Sequence, residues 1–409
     1  MRIAPISGLS LCMKIPQFDN TQIAFRHDST GDLKKSAFLF KAMASPMLTK
    51  IGMSLTSMAL RFHLPVKGLI KATLFKQFCG GETLAEAAAT AQQLAGYNMG
   101  VALDYGVEGA EGEQAFDNAV VAFVAAVQYA ATQPNIPFIA LKVTGFAHFA
   151  LLEKVHAGGL LTKEEDDEFQ RSSDRVLTVC AAAEAANIHV LIDAEETWIQ
   201  KPIDLIVNRA MAKHNTHSPI VYNTFQMYTH ARLEFLRQSI AEAEKGGYML
   251  GAKLVRGACM EKERARALAG NYESPIQPDK ESTDRDYDTA VELCMKHLDK
   301  VGLFVGTHNE KSCLLAAKLA IEGHQEANNN HLWFSQLYGM SDNISFNLAD
   351  AGFQVVKYLP YGPVEDVMPY LMRRAQENTS VAGQTSRELS LIQQELDRRQ
   401  AAKKSPVTA

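Results

Sequence analysis

Tyr248-Met249-Leu250-Gly251-Ala252-Lys253-Leu254-Val255 is an apolar run broken only by Lys253. A helical stretch, Asp284–Lys300, follows, and then a second run, Val301-Gly302-Leu303-Phe304-Val305-Gly306. Runs this short, bounded by polar and turn residues, read as strands buried on both faces, and the intervening stretch reads as a crossover helix. Outward along the chain the unit repeats. Further runs lie at Asn98–Leu103, Ile136–Val143, Ile188–Ile192, Pro219–Thr224, His331–Leu337 and Phe353–Tyr358, making eight in all. Helical stretches lie at Gln114–Ala131, Lys163–Ala186, His230–Lys245, Asn309–Glu322 and Val364–Asn378. Eight β-α units imply a parallel sheet, and closure into a (β/α)8 barrel is the expected arrangement; an open doubly wound sheet is the alternative.

The 409 residues exceed one barrel, which takes about 250. The expected division is an N-terminal basic helical extension (1–95), a catalytic barrel (96–380) and a C-terminal helical tail (381–409). Hydrophobic residues make up 47% and charged residues 21%, enough apolar material for a large core. A formal net charge of -5 argues against bulk nucleic-acid binding. The six cysteines form no CxxC pair, so a reducing cytoplasm is expected and no metal site is read from them. No secretory signal is evident, and no apolar run approaches the roughly 20 residues that span a bilayer. From Leu33 to Gly81 there is no Asp or Glu, while Lys34, Lys35, Lys41, Lys50, Arg61, Lys67, Lys71 and Lys76 all fall there among apolar residues. Residues 33–81 therefore read either as a basic amphipathic element resting on anionic lipid, at the inner face of a membrane, or as a helical extension with a solvated basic face.

Polar groups recur where the strands end: Asp104, Lys142, Asp193 with Glu195 and Glu196, Gln226, Lys253 with Arg256, His308 with Asn309, Gln336 with Tyr338, and Tyr358. A barrel's active site lies at that face, so their convergence predicts a pocket. After Tyr358, Pro363 suits the first turn of a helix in which Tyr370, Arg373, Arg374 and Glu377 form one stripe, with Pro369 implying a kink or an interrupted first turn. Two adjacent guanidinium groups can grip a carboxylate or phosphate in forked geometry; a surface ion-pair ladder is the bland alternative.

The chain lacks GxGxxG after a strand, GxxxxGK[ST] and HExxH. Five blocks, however, occur in order: Asp193-Ala194-Glu195-Glu196, Tyr222-Asn223-Thr224-Phe225-Gln226-Met227-Tyr228, Lys253-Leu254-Val255-Arg256-Gly257-Ala258, Thr307-His308-Asn309, and Tyr370-Leu371-Met372-Arg373-Arg374-Ala375-Gln376-Glu377-Asn378. Together they resemble the signature blocks of the proline dehydrogenase (proline oxidase) family over roughly Asn98–Ser380. The resemblance implies a distorted (β/α)8 barrel holding FAD, and oxidation of L-proline to 1-pyrroline-5-carboxylate by hydride transfer to the flavin. Electrons then pass to a quinone, and a separate 1-pyrroline-5-carboxylate dehydrogenase takes the product.

Carried over residue by residue, the resemblance makes Lys142, Arg373 and Arg374 the carboxylate clamp, with Leu337, Tyr358 and Tyr370 walling the proline ring. Asp193 would hold Lys142 or Tyr358 in place, and Lys142, Asp193 and Tyr358 form the reacting end. Glu108 would pair with the first helix arginine and gate the site. Around the flavin it implies Asp193, Gln226, Val255, His308 and Asn309, with Lys253 near the isoalloxazine, where bacterial two-domain relatives carry Arg. Glu377 would lie toward the ribityl or adenosine end and Lys280 toward the pyrophosphate. Cys259 and Met260 stand where relatives have an aromatic pair. Oxidation of trans-4-hydroxyproline on the same scaffold is the enzymatic alternative, disfavoured by the bulk of Tyr358; a membrane-associated scaffold without catalysis is the alternative of another class.

Overall fold

Eight parallel strands close on one another in chain order, so the barrel expectation holds and the open sheet does not. The computed structural model describes residues 13–45, 47, 67–105, 111–325, 330–380 and 384–404, and the side chains of 67, 69, 375–380, 384 and 385 fall outside the description. The strands are β1 Met99–Tyr105, β2 Phe138–Leu141, β3 His189–Ile192, β4 Val221–Gln226, β5 Leu250–Val255, β6 Val301–Gly306, β7 Leu332–Leu337 and β8 Val355–Tyr361. Closure rests on β1 against β8, from Met99 opposite Val355 to Tyr105 opposite Tyr361. That register carries β8 beyond its expected end at Tyr358, through Pro360 to Tyr361.

Before the barrel lie α1 (Thr21–Ala24), α2 (Thr30–Met43), α3 (Lys67–Ile70, prolonged through Lys71–Phe75 and Lys76–Phe78) and α4 (Leu84–Ala95). The crossovers hold α5 (Glu113–Ala131), α6 (Phe149–His156), α7 (Lys163–Ala186), α8 (Thr197–His214), α9 (Arg232–Gly246), α10 (Met260–Gly270), α11 (Lys280–Lys296), α12 (Glu310–Glu322) and α13 (Asp342–Asp350). After β8 come α14 (Met368–Ser380) and α15 (Gln384–Lys404). Local chemistry sets many of these boundaries. Thr162 and Glu165 form a reciprocal capping box at the start of α7, and Asn187 closes it in the left-handed conformation.

Inside the barrel, Ala102, Phe138, Ala140, Leu191, Tyr222, Phe304, Trp333 and Val356 form one apolar cluster capped by Tyr358. Phe138 is its hub, meeting Tyr222, Phe304 and Trp333 edge-on at 5.7, 5.1 and 5.0 Å. This plug fills the lower barrel, so any site must lie above it.

α15 packs along α2. Arg399 on α15 donates to the carbonyls of Phe25 at 2.7 Å and Asp28 at 2.9 Å, while buried Glu395 accepts from Thr21 at 3.1 Å. The basic segment is less unopposed than its composition suggests, because the compensating acids sit just outside it. Lys35 and Lys76 face Asp32 at 3.6 and 4.0 Å, and Lys71 meets Glu82 at 3.0 Å. Lys50 and Arg61 fall outside the described residues.

Candidate active site

A strand turns successive side chains to opposite faces, so residues two and four beyond an inward plug residue also point inward. From Ala102, Ala140, Leu191, Tyr222, Phe304, Trp333 and Val356 this rule reaches Asp104, Lys142, Asp193, Gln226, His308, Leu337 and Tyr358. These are strand-end groups singled out in the sequence, and together with Lys253 they form the layer above the plug. The same parity removes two neighbours. Gln336 donates to the Thr307 carbonyl at 2.9 Å and accepts from Ser345 on α13 at 2.8 Å. Arg256 donates to Asp284 and Thr307, each at 2.6 Å, and lies 4.3 Å over the Tyr287 ring of α11. Both are bound between sheet and helices instead of lining the mouth.

At the centre of the layer, the Asp193 carboxylate accepts from Lys253 Nζ at 2.5 Å and from the Tyr358 hydroxyl at 2.7 Å. Lys253 Nζ also lies 4.8 Å from the Tyr358 ring centroid, giving a cation–π contact. Burial raises the Tyr358 phenol well above its ordinary value, with Asp104 and Asp193 adding to the effect, so it stays protonated and donating. Asp193 thus holds Tyr358 and also Lys253. Lys142 directly follows β2, and its charge acts on Glu195, the residue two beyond Asp193. Glu195 accepts from the backbone N–H and hydroxyl of Thr144 at 3.1 and 2.6 Å, and burial pushes its carboxyl up to about 7. This brace across the β2 and β3 ends is not readable in the sequence, since nothing local marks Thr144.

Gln226 is buried and donates to the Glu195 carbonyl at 2.8 Å. Val255 is the half-buried last residue of β5. His308 places Nδ1 2.9 Å from the Ser341 hydroxyl. Burial, aided by the charges of Lys357, Arg374 and Arg256, pulls this imidazole down to about 3, so it is neutral near pH 7. Asn309 is engaged elsewhere, its Oδ1 accepting from the Lys311 and Ser312 N–H groups at 2.9 and 3.3 Å as the N-cap of α12. Lys280 is exposed at the start of α11 and ion-paired to Asp284, the acid that also binds Arg256. Gly257, at φ +128°, brings the β5 loop against Tyr228, where an added Cβ would lie 2.5 Å from the ring.

Over this layer runs α14. It begins at Met368, not Val364, because Pro363–Val367 form tight turns first, so Pro369 falls in the first helical turn, where its missing N–H is harmless. Tyr370 and Arg374 are buried, and the Arg374 guanidinium lies 5.2 Å from the Tyr370 ring centroid. Tyr370 acts electrostatically on Tyr358, Arg374 on His308 and Arg373 on Cys259, which sets the stripe across the ends of β8, β6 and β5. A surface ladder would do none of this. Glu108 and the Glu377 side chain lie outside the described residues.

The ensemble is an oxidoreductase-type site: two guanidinium groups above, and an ammonium, a phenol and a neutral imidazole below. The proline dehydrogenase family profile matches residues 87–387, and the chain belongs to the proline dehydrogenase family. It is 32% identical to proline dehydrogenase 2, mitochondrial, of Arabidopsis thaliana over 90% of this chain and 87% of that one. It is 30% identical to the hydroxyproline dehydrogenase of Xenopus laevis, over 92% and 88%. Its fold is like that of proline utilization A from Bdellovibrio bacteriovorus, a structure inactivated by N-propargylglycine, with TM-score 0.68 and 18% identity over 89% of this chain. This chain spans 38% of that longer protein.

Proposed function

We propose that this chain oxidises L-proline to 1-pyrroline-5-carboxylate with FAD as hydride acceptor. The observation that carries the reading is the Lys253–Asp193–Tyr358 cluster, its lysine and tyrosine buried, beneath the Arg373 and Arg374 stripe. The donor set fits a flavin. An ammonium and an amide can hydrogen-bond the carbonyl edge of its ring, and a neutral imidazole can approach it without adding charge. Gln226, Lys253, Val255 and His308 would hold the ring, with Glu377 and Lys280 toward its tail. FAD bound there supplies a two-electron acceptor for the hydride leaving the proline carbon next to nitrogen.

The chain's own residues do the rest. Arg373, Arg374 and Lys142 bind the carboxylate, the one anionic handle of a small zwitterion. Leu337, Tyr358 and Tyr370 close apolar walls on the ring, exclude water and fix its orientation. Asp193 anchors Lys253 and Tyr358, so neither drifts when substrate enters. Glu108 is assigned the gate over the first arginine.

Proline is favoured over trans-4-hydroxyproline because Tyr358 is 8% exposed and pinned by Asp193, leaving little room to admit a ring hydroxyl. Electrons leave to a quinone, and the product passes to a separate dehydrogenase. A bilayer-dissolved quinone calls for lipid contact. Lys34, Phe38 and Lys41 are all exposed on one face of α2, Phe38 at 77%, and would supply it from the cytoplasmic side.

Purified protein should be yellow, and anaerobic L-proline should bleach its flavin band. Colourless folded protein that takes up no added FAD refutes the reading. Arg374→Ala should raise KM for proline at least about tenfold with flavin content retained, and an unchanged KM removes this residue from the clamp.

A further inference from the structure

Ser341 stands at the N-cap of α13, where a serine ordinarily turns its hydroxyl onto the first helical N–H groups. Here it does not. Its backbone is left-handed, at φ 51° and ψ 44°, and its side chain makes no capping bond. A carboxylate from the far end of the chain takes that place: Glu388, on α15, accepts from the Ser341 N–H at 3.0 Å. The hydroxyl, released from capping, lies 2.9 Å from His308 Nδ1. Ser341 is fully buried and Glu388 is 5% exposed, so water does not compete for either contact.

The loop that carries Ser341 is held from both sides. Gly339, at φ +75°, passes so close to Gln77 that a Cβ would lie 1.8 Å from its carbonyl oxygen. The Met340 carbonyl accepts from Lys357 Nζ at 2.7 Å, and Asp342 pairs with the same ammonium at 2.6 Å. A left-handed serine costs about 1 kcal/mol relative to glycine, and such strain persists only where surrounding contacts enforce it.

We propose that Ser341 and Glu388 are positioning residues for His308. The carboxylate on α15 holds Ser341 left-handed, and the Ser341 hydroxyl fixes the ring orientation of the imidazole just past the end of β6. The nitrogen left over, Nε2, is then held toward the mouth in one orientation, its role opposite to that of Nδ1 in the neutral ring. The proposal rests on the reading above for what Nε2 meets, but the chain from Glu388 to Nδ1 does not.

The test uses the full-length chain, flavin-free and FAD-loaded, with Ser341→Gly as the informative variant. Glycine tolerates the left-handed backbone and keeps the N–H to Glu388, so only the hydroxyl is lost. The flavin-free protein is followed by nitrogen NMR of the His308 ring, assigned with His308→Asn. In Ser341→Gly the Nδ1 signal should shift from its wild-type position, because its hydrogen-bond partner is lost, with the melting temperature retained. FAD titration should then show a dissociation constant about 2- to 13-fold weaker, the range expected for one neutral hydrogen bond. Glu388→Gln, which keeps an acceptor for the Ser341 N–H, should move the ring nitrogens in the same direction by less. Ring nitrogens unchanged in Ser341→Gly overturn the proposal. Ring nitrogens that move while FAD affinity stays at the wild-type value uphold the positioning chain and overturn the assignment of His308 to the flavin.

Discussion

Removing the charge of Asp193 should destabilise this protein more than either of its hydrogen bonds would suggest. Lys253 is an ammonium whose side chain is 7% exposed, and Asp193, at 16%, is its carboxylate partner at 2.5 Å. Breaking such a pair from one side leaves an uncompensated buried charge and costs about 3–5 kcal/mol. The Tyr358 donation at 2.7 Å adds little to that figure, since an asparagine oxygen can still accept it. Asp193→Asn should therefore cost about 3 kcal/mol or more, and Lys253→Met a similar amount. The double variant removes both charges and should cost only about 1–2 kcal/mol, giving a coupling of about 4 kcal/mol in a double-mutant cycle. Urea unfolding of the flavin-free chain measures all four corners. If the two single effects add to within about 0.5 kcal/mol, the pair is not mutually dependent and the account of the mouth is wrong.

Burial pulls the His189 imidazole down to about 4, opposed by its contact with the Pro219 carbonyl at 2.8 Å. The unfolded chain, titrating near 6.5, therefore binds protons that the fold refuses, and stability falls as pH drops below that value. From about pH 7 to about pH 5 this residue alone should remove about 2 kcal/mol, and His189→Gln should show an acid slope smaller by that amount; an equal slope in both proteins excludes His189 as a source. For the exposed face of α2, the full chain should sediment with anionic vesicles at low salt and be released as salt rises, and Lys34→Glu with Lys41→Glu should abolish it. Failure of the wild type to sediment at low salt leaves the basic segment as an ordinary solvated surface.

How much is legible in the sequence follows from how far apart the interacting groups lie. Strands betray themselves locally, through short apolar runs, and all but β8 start and end within two residues of the runs that announce them. Once the inward residues are known, period two assigns the mouth, which is why Asp193, Lys253, His308 and Tyr358 can be read from their strands. Composition alone does not separate Lys253 from Arg256, three residues on and on the opposite face. The turns at Pro363–Val367 replace an expected first helical turn because a proline that suits the one equally suits the other. Asn309 reads as a ligand group, and its Oδ1 also caps α12. Ser341 and Glu388 carry no local signal at all, being 47 residues apart and joined only by the fold. Likewise the acids that answer Lys35, Lys76 and Lys71 stand one residue beyond either edge of the acid-free window.

The lacing of α15 onto the segment before α2 also has a consequence in time. Arg399 and Phe25 are 374 residues apart in sequence, and the carboxylate of Glu388 arrives on the same helix. α15 follows β8 in the chain, so a chain leaving the ribosome exposes all eight strands before that helix emerges. The mouth is then built but not locked, with the Ser341 loop lacking its acceptor and the early helices lacking their brace. Assembly of the barrel and completion of the site should thus be separate events during synthesis, the second waiting on α15.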